Sequence, residues 1–248
     1  MKYTTIIYEK KDGVAIITLN RPEKRNAINR QLSRELIQAF DEAEKDVDVG
    51  AVILTGGPEC FCAGADLSEV QASESGEPPV EPGMMEKIRY LPKPTIAAIS
   101  GHCVAGGLEL AMACDIRIVS ETARIGDGHI KMGLLGPAGG VAILPRLVGA
   151  SMGKELVFTG DLINGNEACS IGLANHVYPK DKFLNEALKL AKRIAENPPT
   201  ALRLSKRAID VGLQMNENEA LRYSALCQKE VLASAEFKER IAKFLKKD

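Results

Sequence analysis

Residues 101–110, which read GHCVAGGLEL, place a glycine-rich turn between a strand-like segment and a helix. The segment before this turn, PTIAAI at 94–99, is apolar and has the length of a buried strand. A second turn of this kind, CFCAGADL at 60–67, follows the apolar run 51–54. Glycine at such a turn lets the backbone approach a ligand closely and present an amide outward. Two amides from separate turns could stabilise an oxyanion, although two ordinary tight turns would give the same pattern.

Strand-like segments and amphipathic helices alternate through the first two thirds of the chain. Residues 14–19 follow a turn and form a predicted hairpin with the first strand, and residues 31–44 carry apolar side chains at helical spacing. The later pattern is wholly helical, with predicted helices at 183–195, 199–213, 217–233 and 235–246. The sequence therefore predicts an α/β core of strand-strand-helix units over 1–182, followed by an all-helical segment over 183–248.

Composition excludes several classes of function. The 248 residues include 32 Lys and Arg against 33 Asp and Glu, so no overall basic field favours nucleic acid or an anionic membrane. No apolar run reaches the roughly 18 residues that span a bilayer, and no signal pattern precedes the first strand. The six cysteines form no Cys-x-x-Cys pair, and no metal site is apparent. We therefore expect a cytoplasmic protein with reduced thiols.

Other common ligand motifs are missing from the sequence. No Gly-x-Gly-x-x-Gly follows a strand, so a dinucleotide site is not predicted. Residues 149–155, GASMGKE, lack the spacing of a P-loop. No Gly-x-Ser-x-Gly elbow supplies a serine nucleophile.

Several ordered motifs resemble the signature segments of the crotonase superfamily, specifically the enoyl-CoA hydratase/isomerase family. The two turns match best, and the similarity extends to LNRPEKRNA at 19–27, CDIRI at 114–118 and Gly139-Gly140. The resemblance implies an α/β fold, a crotonase-type spiral of repeated ββα units with an all-helical C-terminal segment. It also implies assembly into a homotrimer or homohexamer.

The same resemblance implies a site for acyl-CoA. Coenzyme A would enter as part of the substrate, and no cofactor would be bound permanently. The amides of Ala65 and Gly106 would bind the thioester oxygen and stabilise an enolate-like anion. The residues expected to contact coenzyme A are Lys24, Arg25, Ala63, Asp66, Leu67 and, from a neighbouring subunit, Phe244.

Proton-transfer groups decide which reaction follows. Glu109 lies in the first turn of the predicted helix and matches the first catalytic glutamate of the family, although a helix-start glutamate also complements the dipole. The family's second glutamate is replaced by His129. Three hypotheses remain open at this stage. His129 donates the proton; Asp127, on the same side of an extended segment, orients or replaces it; or His129 is a spectator.

Hydration of a 2-enoyl-CoA, or the reverse dehydration, is the leading hypothesis. Double-bond isomerisation, decarboxylation and hydrolysis of a thioester or C–C bond use the same oxyanion device. RNA binding is the alternative outside enzymes. The cations that could bind RNA are Lys238, Arg240, Lys243, Lys246 and Lys247. Because they alternate with Glu236 and Glu239, a solvated helix face explains them better.

Overall fold

The computed structural model describes residues 3–72 and 80–245. Most of the predicted loop at 73–83 lies outside these ranges, as do Lys246 and Lys247. Within them, no helix combines the length and apolar character needed to cross a bilayer.

Strands and helices follow one another in strand-strand-helix order through the core. The strands are β1 Ile6–Lys11, β2 Val14–Leu19, β3 Ala51–Thr55, β4 Cys60–Cys62, β5 Thr95–Ile99, β6 His102–Val104, β7 Ile116–Ser120, β8 Arg124–Gly126 and β9 His176–Tyr178. The helices of the core region are α1 Arg30–Lys45, α2 Leu67–Ala72, α3 Met84–Arg89, α4 Gly106–Ala113, α5 Leu144–Val148, α6 Ala150–Thr159 and α7 Gly165–Ser170. Four more helices end the described chain: α8 Phe183–Ala195, α9 Pro199–Gly212, α10 Glu217–Ala233 and α11 Ala235–Phe244.

Two sheets share the strands of each repeating unit. The larger sheet has the order β1-β2-β3-β5-β7-β9, and the smaller has the order β4-β6-β8. Only the β1–β2 hairpin is antiparallel; the other pairs of named strands run parallel. Each successive pair (β3 and β4, β5 and β6, β7 and β8) therefore gives one strand to each sheet. This is the spiral of ββα units that the sequence predicts.

Helix α1 closes one side of the larger sheet. The side chain of Asn29 accepts a hydrogen bond from the amide of Leu32 and so caps the helix start. The buried face includes Leu32, Leu36 and Phe40, which lie in the main apolar core. The helical spacing predicted for 31–44 is confirmed, with one residue more at each end.

The all-helical segment divides by its contacts. Helix α8 packs on the larger sheet through Phe183, Ala187 and Ala191, in a second apolar cluster. Helices α9 and α10 pack against each other, and the ammonium of Lys206 lies 2.9 Å from a carboxylate oxygen of Asp115, which ties α9 to the core. The division at residue 182 stays a prediction.

Candidate active site

The two glycine-bearing turns lie in contact with each other. A β-carbon built on Gly64 would be 3.4 Å from the amide nitrogen of Gly106, and one built on Gly106 would be 3.6 Å from the amide nitrogen of Ala65. Gly107 allows this approach, because its β-carbon would be only 2.2 Å from the carbonyl oxygen of Cys62. The fold thus brings together the two amides that the sequence places in separate turns.

Local backbone geometry leaves both amides free. Ala105, directly before helix α4, has φ 52° and ψ −121°, a conformation that L side chains rarely adopt. Ile28 bridges across Ala65, since its amide donates to the carbonyl of Gly64 and its carbonyl accepts from Asp66. Within residues 3–72 and 80–245, the amides of Ala65 and Gly106 donate to no protein acceptor. Such unpaired donors, carried by two turns in contact, are suited to hold an oxyanion.

Glu109 lies in the first turn of α4 and is only 5% exposed. Its Oε1 accepts a hydrogen bond of 3.2 Å from the amide of Gly140. Burial raises the pKa of this carboxyl above its usual value, against the opposing effect of the Gly140 amide and of a positive His129. A buried carboxyl with a raised pKa has the character of a general acid or base.

His129 and Asp127 are joined by a hydrogen bond between Nδ1 and Oδ1. This bond raises the pKa of His129, and the charges of Asp127 and Glu109 raise it further, while burial opposes them. In an extended segment the two residues would share a side. Strand β8 ends at Gly126, however, and the contact is made through a turn in which Gly128 has φ 63°. The two side chains therefore meet without an extended segment, and their roles in proton transfer stay predictions.

Two glycines of the loop that follows lie against the side chains of His129 and Asp127. A β-carbon on Gly136 would be 2.8 Å from Nδ1 of His129, and one on Gly140 would be 2.7 Å from Oδ2 of Asp127. The sequence gives Gly140 as part of a family motif, and it shows Gly136-Pro137 in the reverse of the family's usual Pro-Gly order, but neither feature predicts these contacts. Nothing in the local pattern connects residue 136 with residue 129, so only the folded chain reveals the contact.

The residues predicted to contact coenzyme A differ in how free they are. Lys24 and Arg25 are exposed, and the carbonyl of Arg25 accepts from the amide of Ala63, which places these two residues beside the turn at 60–67. Leu67 is 54% exposed and Phe244 69% exposed. These five contacts with coenzyme A stay predictions.

The carboxylate of Asp66 is already engaged within the chain. It accepts a 2.9 Å hydrogen bond from the guanidinium of Arg21 and another from the hydroxyl of Ser68. The Ser68 bond, with Arg21 beside it, lowers the pKa of this buried carboxyl. Arg21, which the sequence does not single out, therefore fixes the turn that carries Ala65. The contact of Asp66 with coenzyme A stays a prediction.

A cavity of about 280 Å³ lies between helix α3 and the loop over residues 133–143, the glycine loop. Met84, Met85 and Tyr90 contribute to its wall, together with Ala138. Ala138 directly precedes Gly139, where a β-carbon would be 3.5 Å from Cγ of Glu109. Ala138 and Gly139 therefore connect the wall of the cavity with the buried side chain of Glu109.

Two free backbone amides and a buried carboxyl, on a spiral of ββα units, form an arrangement that suits an α/β enzyme in which an oxyanion develops. The chain matches the family model described as enoyl-CoA hydratase/isomerase over residues 9–248. It is 38% identical to the short-chain-enoyl-CoA hydratase of Clostridium acetobutylicum, with 100% of this chain and 97% of that protein covered. It is 37% identical to the crotonyl-CoA hydratase of Syntrophomonas wolfei, with the same coverage of 100% and 97%.

Solved structures give the same result. A crystal structure of enoyl-CoA hydratase from Bacillus anthracis has a TM-score of 0.92 and 34% identity, covering 98% of this chain and 97% of that one. The chain belongs to the enoyl-CoA hydratase/isomerase family of the crotonase superfamily. The predicted family and fold class are both confirmed.

Proposed function

We propose that the protein adds water to the double bond of a 2-enoyl-CoA thioester and catalyses the reverse dehydration. The observation that carries this proposal is the buried carboxyl of Glu109 beside the two free amides of Ala65 and Gly106. The short-chain-enoyl-CoA and crotonyl-CoA hydratases among the relatives support a short acyl chain. Coenzyme A enters as part of the substrate.

The reaction divides between these groups. The thioester oxygen accepts hydrogen bonds from the amides of Ala65 and Gly106, which stabilise the negative charge that develops there. Glu109 takes a proton from water through Oε2, since Oε1 is held by Gly140. The resulting hydroxyl bonds to C3, and the electrons of the double bond move onto the thioester as an enolate. Protonated His129 then gives its proton to C2 and completes the hydration.

The acyl-CoA is held outside the reacting carbons by charge and backbone contacts. Lys24 and Arg25 bind phosphate groups of the nucleotide, because they are exposed cations beside the turn at 60–67. Ala63, Asp66 and Leu67 follow the pantetheine portion through their backbone and apolar atoms. Phe244 covers the nucleotide of a neighbouring subunit.

Turnover of crotonyl-CoA tests the proposal directly. Loss of the conjugated thioester absorbance, with 3-hydroxyacyl-CoA identified as product, is expected for the wild type. Glu109→Gln is expected to lower kcat by about 10²-fold or more, the usual scale for a proton-transfer residue. Glu121→Gln, which changes an exposed glutamate, is the matched control. Full activity of Glu109→Gln would contradict the assignment.

Double-bond isomerisation is the second candidate. It is favoured by the hydrogen bond of His129 to Asp127, because one oriented base can move a proton between two carbons. A 3-enoyl-CoA substrate separates the two reactions, since an isomerase converts it to the 2-enoyl isomer without adding water. Release of CO₂ or of free coenzyme A would instead indicate a decarboxylase or a hydrolase.

We also propose a homotrimer or homohexamer in the cytoplasm. Apolar side chains on the terminal helices support assembly, since Ile209, Leu213, Leu221 and Phe244 are each more than 60% exposed in the single chain. Sedimentation equilibrium tests this, and a monomer at micromolar concentration would contradict it. Fractionation of the source cells tests the location.

A further inference from the structure

We propose that Asp127 is a positioning residue that fixes the ring of His129, so that Nε2 is the nitrogen that exchanges a proton with the substrate. This rests on the proposed function, because it takes His129 as the donor to the acyl chain. In this role the side chain of Asp127 does not contact the substrate. Its effect is transmitted through the imidazole.

Two hydrogen bonds join the residues and fix the ring. Nδ1 bonds to Oδ1 of Asp127, and the backbone amide of His129 donates to the carbonyl of Asp127 at 2.8 Å. Asp127 is only 1% exposed, so water cannot readily compete for its carboxylate. Because a neutral imidazole carries its proton on the nitrogen that donates, bonding at Nδ1 leaves Nε2 as the second, available nitrogen.

The glycine loop holds the pair from the other side. At Gly136 a β-carbon would come within 2.9 Å of Oδ1 as well as 2.8 Å of Nδ1, so the loop backbone lies against the hydrogen bond itself. The amide of Val141 donates to the carbonyl of Gly136 at 3.2 Å and closes the loop. Rotation of the ring would need this loop to move.

Gly140 connects the pair to the first proton-transfer group. Its α-carbon faces the carboxylate of Asp127, while its amide donates to Oε1 of Glu109. One glycine therefore sets the spacing between Asp127 and Glu109. The two carboxyls and the imidazole form one array in which water and substrate must fit.

The charges around the imidazole are few. Asp127, which follows β8, and Glu109, from α4, are the groups that act on it. The loop over 133–143 carries no titratable side chain, and the nearby Lys131 is paired with Asp161 at 3.1 Å. Removal of the negative charge at position 127 is therefore expected to change both the orientation and the proton affinity of the ring.

A double-mutant cycle tests whether Asp127 acts through His129. Asp127→Asn is expected to lower kcat for crotonyl-CoA about 10- to 100-fold with KM changed less than about twofold, because ground-state binding is untouched. His129→Gln is expected to lower kcat at least as much. The double variant should be no slower than His129→Gln alone. Full multiplication of the two effects, or wild-type kcat in Asp127→Asn, would overturn the proposal.

Histidine NMR provides a readout that needs no turnover. The chain has three histidines, His102, His129 and His176, so ring ¹H–¹⁵N signals can be assigned by substitution. In the wild type, His129 is expected to lose its proton at higher pH than a histidine in an unstructured peptide does, and to show a bonded Nδ1–H. In Asp127→Asn, its titration should move to lower pH.

The two measurements separate the possible failures. A wild-type His129 that titrates like a histidine in an unstructured peptide, or an unchanged titration in Asp127→Asn, would overturn the positioning role. A wild type that shows the expected NMR behaviour but does not hydrate crotonyl-CoA would contradict the proposed function alone. The wild-type titration also keeps the test decisive if Asp127→Asn does not fold.

Discussion

The amide nitrogen of Ala65 lies 3.6 Å from the position that a methyl group on Gly106 would occupy. Gly64 and Ile28 are the other neighbours of that position, also at 3.6 Å, so a methyl group would meet only ordinary contacts there. Folding therefore does not require glycine at position 106. The absence of a side chain there keeps open the space between two free amides, where the thioester oxygen is proposed to bind.

Gly106→Ala keeps the backbone donor but places a methyl group where the thioester oxygen would bind, so kcat/KM for crotonyl-CoA is expected to fall about 10²- to 10³-fold, the scale seen when an oxyanion loses a donor. Its thermal midpoint should stay at or above that of the wild type, because alanine favours the helix. Gly212→Ala in α9, where a β-carbon would be 3.4 Å from Ala220, is the matched control. Equal activity of both variants would show that the space beside Ala65 is not used.

Gly140→Ala and Gly139→Ala form a neighbouring pair with different expected results. A β-carbon at 140 would be 2.7 Å from the carboxylate of Asp127, whereas one at 139 would be 3.2 Å from Cε of Met112, the flexible end of a side chain. Gly140→Ala is expected to lower kcat at least about tenfold, because the array of Glu109, Asp127 and His129 must shift. Gly139→Ala should lose less, and product binding, measured by calorimetry, should change little in either. The reverse order of activities would contradict this reading of the loop.

Periodicity and turn chemistry predicted much of the core. The hairpin, the helix after Asn29 and the helix start at Gly106 all follow from local patterns, because burial alternates or repeats along each segment. Local patterns did not predict the structure of the region from His129 to Ser170. Its short helices α5, α6 and α7 lack a long apolar repeat, and its loop at 133–143 takes its shape from distant partners.

The residues of the candidate site also fall into two groups, those that local sequence patterns predict and those that only the fold brings into place. Ala65, Gly106 and Glu109 sit at turn and helix positions that sequence motifs mark. Arg21 lies within the motif at 19–27, but no local pattern predicts its bond to Asp66, which is distant in the chain. The contact of Gly136 with His129 is likewise not predicted, because a turn brings the two together. The sequence already offers Asp127 as a partner of His129, but a turn at Gly128, not an extended strand, brings its carboxylate to the imidazole.

Glu35 anchors the start of the chain and is expected to make stability depend on acid. Burial raises its pKa, but hydrogen bonds from Gln31, Thr5 and Thr4 outweigh this and lower it to about 2. Since the folded pKa lies below the unfolded value, Glu35 stabilises the fold above pH 4.5, and this contribution is lost as the pH falls toward about 2.

Glu35→Gln is therefore expected to cost about 1–3 kcal/mol of unfolding free energy at pH 7, the range for hydrogen bonds to a charged group. The cost should shrink at pH 3. Urea unfolding at one protein concentration measures both values. Glu155→Gln, which alters an exposed carboxylate on α6, is the control. A cost that does not change with pH would remove the charge of Glu35 from the explanation.

Lys24 and Arg25 are expected to affect affinity rather than turnover. The double variant Lys24→Gln/Arg25→Gln should raise KM for crotonyl-CoA about tenfold, since charge-assisted contacts to phosphate are lost. Its KM for crotonyl-pantetheine, which has no nucleotide, should equal that of the wild type. Lys229→Gln, at an exposed position on α10, is the control. An equal rise with both substrates would place the two cations away from the phosphates.

The pH dependence of kcat/KM is expected to be bell-shaped, with its limbs assigned to Glu109 and His129. Burial raises the pKa of Glu109, so the carboxylate that accepts a proton from water is lost as the pH falls through this raised value. The bond to Asp127 raises the pKa of His129, so the imidazolium that donates to C2 is lost as the pH rises through it. Glu109→Gln should abolish the acidic limb in its residual activity, and His129→Gln should abolish the alkaline limb while the acidic one persists. If His129→Gln keeps both limbs at their wild-type positions, the imidazole takes no part in proton transfer, and a second donor must be sought near Asp127.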